Sequence, residues 1–321
     1  MGENYVYEVA RIRALETSLL KDTDIEQLIS LGTYEQCIQF LEEKSWGNSD
    51  SKGDGDRILA AEEDKIWALI KEFKIDMKHF AVLSIPKLYH NLKAAIKAAV
   101  SRPKGISIYY DTNPSGEEMR AAIQEGNYKL LPEDMQDAAK EAYESLVHTG
   151  DGQLCDIVID RACMEAIYLA GHRSKVDIIK DYTESIVAVA NIKIAVRAQL
   201  TGKSADFMKR AMSSCDSINT DALIKAAIAG KDEIAAYLAT TPYRDGVDAL
   251  KSSQSIFECW CDNRIIRAIK PQKYNAFTVG PIFAYVIARL NEIKTVRIVL
   301  TGKQNDLSEE AIRERVREMY A

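Results

Sequence analysis

The sequence predicts an all-α protein built from three diverged helical repeats of about a hundred residues each. Three observations lead there. Apolar residues recur at helical spacing along much of the chain, no stretch alternates convincingly with the period of a strand, and short motifs return at intervals near one hundred positions.

The first helix is written in Tyr5, Val9, Ile12, Leu15 and Leu19, whose spacings of 4, 3, 3 and 4 put them on one face. Gly47–Asp56 (GNSDSKGDGD) reads as a flexible acidic loop, and Glu62, Glu63 and Asp64 beyond it as solvent-facing helix carboxylates. Leu88, Leu92, Ile96 and Val100 form the next apolar stripe. Ile106–Tyr110 is the only short strand-like run, and it is discounted. Asn113-Pro114-Ser115-Gly116 has turn chemistry and leads into a capped helix at Glu117. Thr149-Gly150-Asp151-Gly152 separates two helical stretches, after which Val189, Ile192, Val196 and Leu200 give a further stripe. Pro271 and the polar Gln272–Asn275 break the chain before a helix starting near Pro281, striped by Val286, Leu290, Ile293, Val296 and Leu300.

The repetition rests on three landmarks. Asn191-Ile-Lys-Ile-Ala-Val-Arg-Ala-Gln-Leu-Thr-Gly-Lys203 aligns with Asn291-Glu-Ile-Lys-Thr-Val-Arg-Ile-Val-Leu-Thr-Gly-Lys303, and Asn91–Val100 keeps the asparagine, the basic pattern and the apolar face. Short helices end at Gly32, Gly126 and Gly230, where a left-handed cap with positive φ is expected; Gly202 and Gly302 read as helix C-caps. Tyr7-x-x-Ala10-Arg11 matches Tyr285-x-x-Ala288-Arg289. The divisions implied are 1–104, 105–204 and 205–321, with 85–126, 185–230 and 281–316 as the equivalent helix–turn–helix units.

Composition narrows the function. Hydrophobic residues make up 47% and charged residues 28%, as in an ordinary packed globular protein. With a net charge of −6, a nucleic-acid groove would have to be a local feature, and no nucleic-acid partner is expected. Arg102–Lys104 and the scattered Arg264, Arg267, Lys270 and Lys273 are too sparse for a polybasic membrane tether. Arg264, Arg267 and Lys270 are instead weak candidates for a partner-binding surface. The apolar runs Ile186–Ala190 and Pro281–Ala288 fall short of the roughly 18 residues of a membrane span. The acidic, poorly apolar opening residues predict no signal peptide, and six cysteines without a regular framework fit reduced thiols in the cytoplasm.

Catalytic chemistry finds no constellation. His79, His90, His148 and His172 have no metal spacing, and Cys259-Trp260-Cys261 is too tight for a zinc or redox knuckle. Thr201-Gly202-Lys203-Ser204 ends like a phosphate loop, but Arg197 occupies the position of the leading glycine. The acidic loop breaks calcium-loop register at Lys52. No catalytic residue, cofactor or metal is expected.

Tyr5-x-Tyr7-x-x-Ala10-Arg11-Ile12-Arg13-x-x-Glu16-x-x-Leu19-Leu20 resembles the opening helix of the C subunits of the V/A-type ATPases, the family of the d subunit of the eukaryotic vacuolar ATPase. Gly280-Pro281-x-x-x-Tyr285, Asn291-Glu292-Ile293 and Val296-Arg297-x-x-Leu300-x-Gly302-Lys303 look like its C-terminal signature. The resemblance is specific at the termini and weaker over 45–80 and 105–150. It implies a pseudo-three-fold funnel of helices with no catalytic residues. It also implies a rotor role, seating the central shaft on the membrane proteolipid ring at the cytoplasmic face. The other readings open to the sequence are a helical-repeat scaffold unconnected with ion transport and, ranked third, a helical hydrolase using an unrecognised carboxylate pair.

Overall fold

The computed structural model describes residues 5–100 and 109–321. Among them the chain forms sixteen α-helices joined by turns and short 3₁₀ segments, with no β-strand. In chain order these begin with α1 (Val6–Glu16), α2 (Asp22–Ser30), α3 (Tyr34–Glu43), α4 (Gly55–Glu72), α5 (Ala81–Val100) and α6 (Gly116–Gln124). The middle holds α7 (Glu133–Thr149), α8 (Gly152–Arg173), α9 (Asp177–Leu200), α10 (Ala205–Ala211) and α11 (Thr220–Ala229). The rest are α12 (Lys231–Ala239), α13 (Val247–Ser252), α14 (Gln254–Ile269), α15 (Gly280–Gln304) and α16 (Glu309–Arg313). Tyr109 and Tyr110 are not in a strand, and the rest of the Ile106–Tyr110 run lies outside the described residues.

The chain divides into two compact units. One comprises residues 1–76, 176–179 and 245–321; the other comprises 77–175 and 180–244. In the first, α15 is the central element, with 18 of its 25 residues buried. That explains its composition: a helix packed on all sides is apolar around its whole circumference rather than on one stripe. Helices α1, α2, α3, α4, α14 and α16 pack against it. Val9 and Ile12 of α1 are buried there, as their helical spacing predicts, and so are Ile58, Ile66 and Ile70 of α4.

In the second unit α5, α6, α7 and α8 share one core. Leu92 and Ile96 of α5 meet Met119 and Ile123, Met135 and Ala139, and Ile159 and Cys163, all buried. Alanines at 95, 122, 139 and 142 let these helices approach closely. The last residues of the α5 and α9 stripes are exposed, Val100 by 42% and Leu200 by 57%.

The turns follow local chemistry, with three departures from expectation. Ser115 caps α6 through a reciprocal bond pair with Glu118, and Asp151 caps α8 after Gly150 at φ +67°. Gly126 (φ +66°) and Gly230 (φ +138°) are conformations that favour glycine, as expected. Gly32 is not. Leu31 leaves α2 in extended backbone, and the Gln36 side chain of the next helix accepts the Gly32 N–H at 2.8 Å. Gly202 (φ +62°) does cap α9, but Gly302 lies inside α15, where a Cβ would sit 2.6 Å from Ile312 Cγ1. The helix runs on to Gln304 and turns at Asp306, φ +52°, with the Leu307 N–H returning to the Gly302 carbonyl. The loop before α4 is pinned rather than flexible: Ser51 is buried, and the N–H groups of Gly47 and Gly53 bond Glu62 and Glu42.

Each of the three aligned asparagines is buried and holds the chain that follows its own long helix. Asn91 Nδ2 donates to the Tyr110 carbonyl at 2.8 Å while Tyr110 N–H donates back to Oδ1 at 2.8 Å. Asn191 makes the same two-way bond with Ser213, at 2.7 and 3.1 Å. Asn291 Nδ2 donates to the Glu318 carbonyl at 3.0 Å. Only a primary amide offers donor and acceptor side by side to match a peptide group.

Candidate functional site

Arg267 and Lys270, two of the three basic residues singled out from sequence, lie at the C-terminal end of α14 and just beyond it. Both ion-pair with Glu318, and Arg267 also approaches Asp245 at 3.5 Å. Those pairs hold the Glu318 carboxyl below its ordinary range against the opposing effect of burial. Arg264 is half-buried one turn earlier on the same helix. Arg102–Lys104, the other basic group, lies outside the described residues.

Immediately after this basic end the chain exposes two aromatic side chains, Tyr274 at 92% and Phe277 at 70%. They are displayed from an ordered segment, because Arg13 of α1 donates to the carbonyls of Gln272 (2.6 Å) and Asn275 (2.8 Å). The Asn275 side chain closes the turn onto Thr278 Oγ1 at 2.9 Å. Exposed aromatics are enriched in protein contact surfaces. The sequence signal was present in the break at Pro271, but helical periodicity does not register residues between helices.

Beneath the surface of the same unit lies a buried ionic cluster. Arg289 of α15 ion-pairs with both Glu292, one turn on, and Glu62 of α4. Glu62 also accepts the Gly47 N–H (2.7 Å) and the Lys65 ammonium (2.6 Å), and Glu292 accepts the Leu20 N–H. The Arg289 guanidinium lies 5.1 Å over the Trp46 ring. Glu62 is therefore 3% exposed, not solvent-facing as its place in an acidic run suggested. Burial drives the Glu292 carboxyl up to about 7, against the pull of Arg289 and the Leu20 N–H. This cluster ties the turn between α1 and α2, at Leu20, to α4 and α15, with its charge satisfied internally.

The remaining chemical candidates read as structure. Trp260 is buried, stacks on Phe257 and donates to Asp245 Oδ2 at 3.1 Å; Cys261 is buried and Cys259 bonds the Val316 carbonyl. Burial raises the thiols of Cys37 and Cys155, and that of Cys163 to about 12. Lys203 at the end of the phosphate-loop look-alike bonds Gln153 Oε1 at 2.7 Å. A cavity of about 400 Å³ is lined by Glu133, Asp134, Asp137, Glu141 and Glu165, with Arg161 and Arg210 paired to two of these carboxylates. Its charge opposes the phosphates of a nucleotide. One grouping that spacing did not reveal is His172, Glu184 and Asp216, brought within 4.8 Å of one another from separate elements.

Comparison with known proteins identifies the family. A family model described as ATP synthase (C/AC39) subunit matches residues 9–315. The C subunit of the V-type sodium ATPase of Enterococcus hirae is 24% identical over 317 residues, covering 96% of this chain and 97% of that protein. The C subunit of the A-type ATP synthase of Methanocaldococcus jannaschii is 21% identical over 339 residues, covering 96% and 85%. That of Halorubrum lacusprofundi is 23% identical over 349 residues, covering 97% of each.

Proposed function

We propose that this chain, which belongs to the ATP synthase (C/AC39) subunit family, is a non-catalytic rotor subunit that couples a central shaft to a membrane proteolipid ring. The observation that carries the reading is the extent of the family match, from residue 9 to residue 315, which leaves little of the chain for another activity. Its partners are then the shaft subunits of an ATP-hydrolysing or ATP-synthesising motor and the ring that moves ions. It works at the cytoplasmic face of the membrane. No helix of the described residues is long and apolar enough to cross a membrane, so its hold on the membrane comes through the ring.

A coupling part has to resist deformation. Close-packed helices transmit strain with little give, and the buried asparagine bonds and the Glu62–Arg289–Glu292 cluster add directional ties across the turns. The three asparagine ties support a threefold repetition of one helix–turn–helix unit, and in this reading those units are the three sectors of a funnel. The basic end of α14, with Arg264, Arg267 and Lys270, and the exposed Tyr274 and Phe277 form part of a partner-facing surface.

The test is deletion in membranes that carry the whole complex, read as ions pumped per ATP hydrolysed. ATP hydrolysis is expected to continue while ion pumping stops, and adding back the purified chain restores pumping. Normal pumping per ATP in membranes lacking the chain would overturn the coupling role and leave a scaffold in its place.

A further inference from the structure

We infer that His172, Glu184 and Asp216 form a surface site for a single zinc-type divalent cation in the unit that contains α5–α8. The three donors come from the C-terminal turn of α8, from α9 and from the segment between α10 and α11, and their ligand atoms all lie within 4.8 Å of one another. An imidazole with two carboxylates is a donor set for a borderline cation such as zinc, with room left for water at the exposed side.

The His172–Asp216 pair has a separation that suits two ligands of one cation better than a hydrogen-bonded ion pair. His172 Nε2 stands 3.3 Å from Asp216 Oδ2, longer than the roughly 2.7–2.9 Å of a charge-assisted hydrogen bond. With bonds of about 2.0–2.1 Å to a tetrahedral centre, two ligand atoms sit about 3.3 Å apart.

The donors are also held in place by groups outside the set. Gly171 lets α8 and α9 approach so closely that a Cβ there would lie 1.8 Å from Thr183 Oγ1, which sets the adjacent His172 and Glu184 side by side. Tyr168 packs its ring 4.1 Å from the His172 ring and donates its hydroxyl to Asp216 Oδ1 at 2.7 Å, leaving Oδ2 for the ion. The N–H and hydroxyl of Ser217 both donate to Glu184 Oε1, and the Asp216 N–H donates to Oε2 at 3.1 Å, so Oε2 is the oxygen with a lone pair left for an ion. Cys215 is the nearest thiol in sequence, but its Sγ donates to the Ile218 carbonyl and accepts from Asn191 Nδ2, so the site uses nitrogen and oxygen only. A bound ion would clip the non-helical segment after α10 to the α8–α9 pair.

The experiment titrates the chelator-stripped full chain with zinc chloride by calorimetry, and with cobalt chloride by its visible spectrum. We expect one saturable zinc site, a tetrahedral cobalt spectrum, and a higher Tm with zinc. His172→Ala and Asp216→Asn should each weaken zinc binding at least tenfold, and Tyr168→Phe about tenfold through loss of its hold on Asp216. His148→Ala, at an exposed histidine elsewhere, should bind as the parent does. Far-ultraviolet circular dichroism checks that each variant is folded. The site is refuted by the absence of saturable uptake below about 1 mM zinc. It is equally refuted if folded His172→Ala and Asp216→Asn proteins bind as tightly as His148→Ala.

Discussion

Glu292 lies between a guanidinium and a backbone N–H in a place water does not reach, and the balance of those effects sets a pH dependence. Burial outweighs the other influences, so the carboxyl keeps its proton to about pH 7 in the folded chain, against an ordinary value of 4.5. The folded state therefore binds more protons than the unfolded state over that window. The stabilisation this residue contributes is fully present below about pH 4.5 and is lost as the pH rises through about 7. Urea denaturation of the parent and Glu292→Gln at several pH values isolates the effect, because the other carboxylates are common to both. Relative to the parent, the Gln variant should gain stability with rising pH, on the order of 1 kcal/mol per pH unit inside the window. A constant difference between the two proteins from pH 4 to pH 8 would contradict the assignment.

At the scale of the element, what ends a helix decides where the next one starts. Gly126 takes a left-handed conformation after α6, with the Asn127 N–H returning to the Ala122 carbonyl, whereas Gly32 has ordinary backbone and is held by Gln36. Gly126→Ala is accordingly expected to cost about 1 kcal/mol in denaturant unfolding. Gly32→Ala should stay within about 0.5 kcal/mol, since its added Cβ meets only the end of the Gln36 side chain, at 3.4 Å. Equal losses at the two sites would mean that the turns are more alike than their backbones indicate. The pair α15–α16 illustrates the same dependence on context. Its Thr-Gly-Lys matches that after α9, yet Gly302 serves as a close-approach point under Ile312, and the turn moves four residues on to Asp306.

For the whole molecule, the reading places a contact surface at the end of α14, and two classes of substitution there should separate. Tyr274→Ser and Phe277→Ser remove exposed aromatic area that packs on nothing within the chain's own core, so folding stability should hold within about 0.5 kcal/mol. Co-purification with the shaft subunits or the ring from native membranes should fall. Lys270→Glu reverses a partner of Glu318 and should both weaken assembly and loosen the C-terminal segment. Full co-purification of the Tyr274→Ser, Phe277→Ser double variant would remove this surface from the partner-facing set.

The sequence by itself determined the helical class, the long stripes and several boundaries, because each is a local property: spacing on a 3.6-residue period, a Ser or Asp at a cap, a proline at a break. It also placed Asn91, Asn191 and Asn291 in register one hundred residues apart. Tertiary structure decided what those residues do. An asparagine on an apolar stripe becomes a two-way tie only when a particular peptide group is brought back to it. Glu62 became an interior charge because Arg289, more than two hundred residues away, arrives beside it. His172, Glu184 and Asp216 have no spacing that a motif would register; they meet because Gly171 lets α8 and α9 touch and the segment after α10 returns to that pair. Local chemistry is readable along the chain because its causes lie within a few residues. Convergence depends on which helices pack together, and that is set by the burial of all their faces at once.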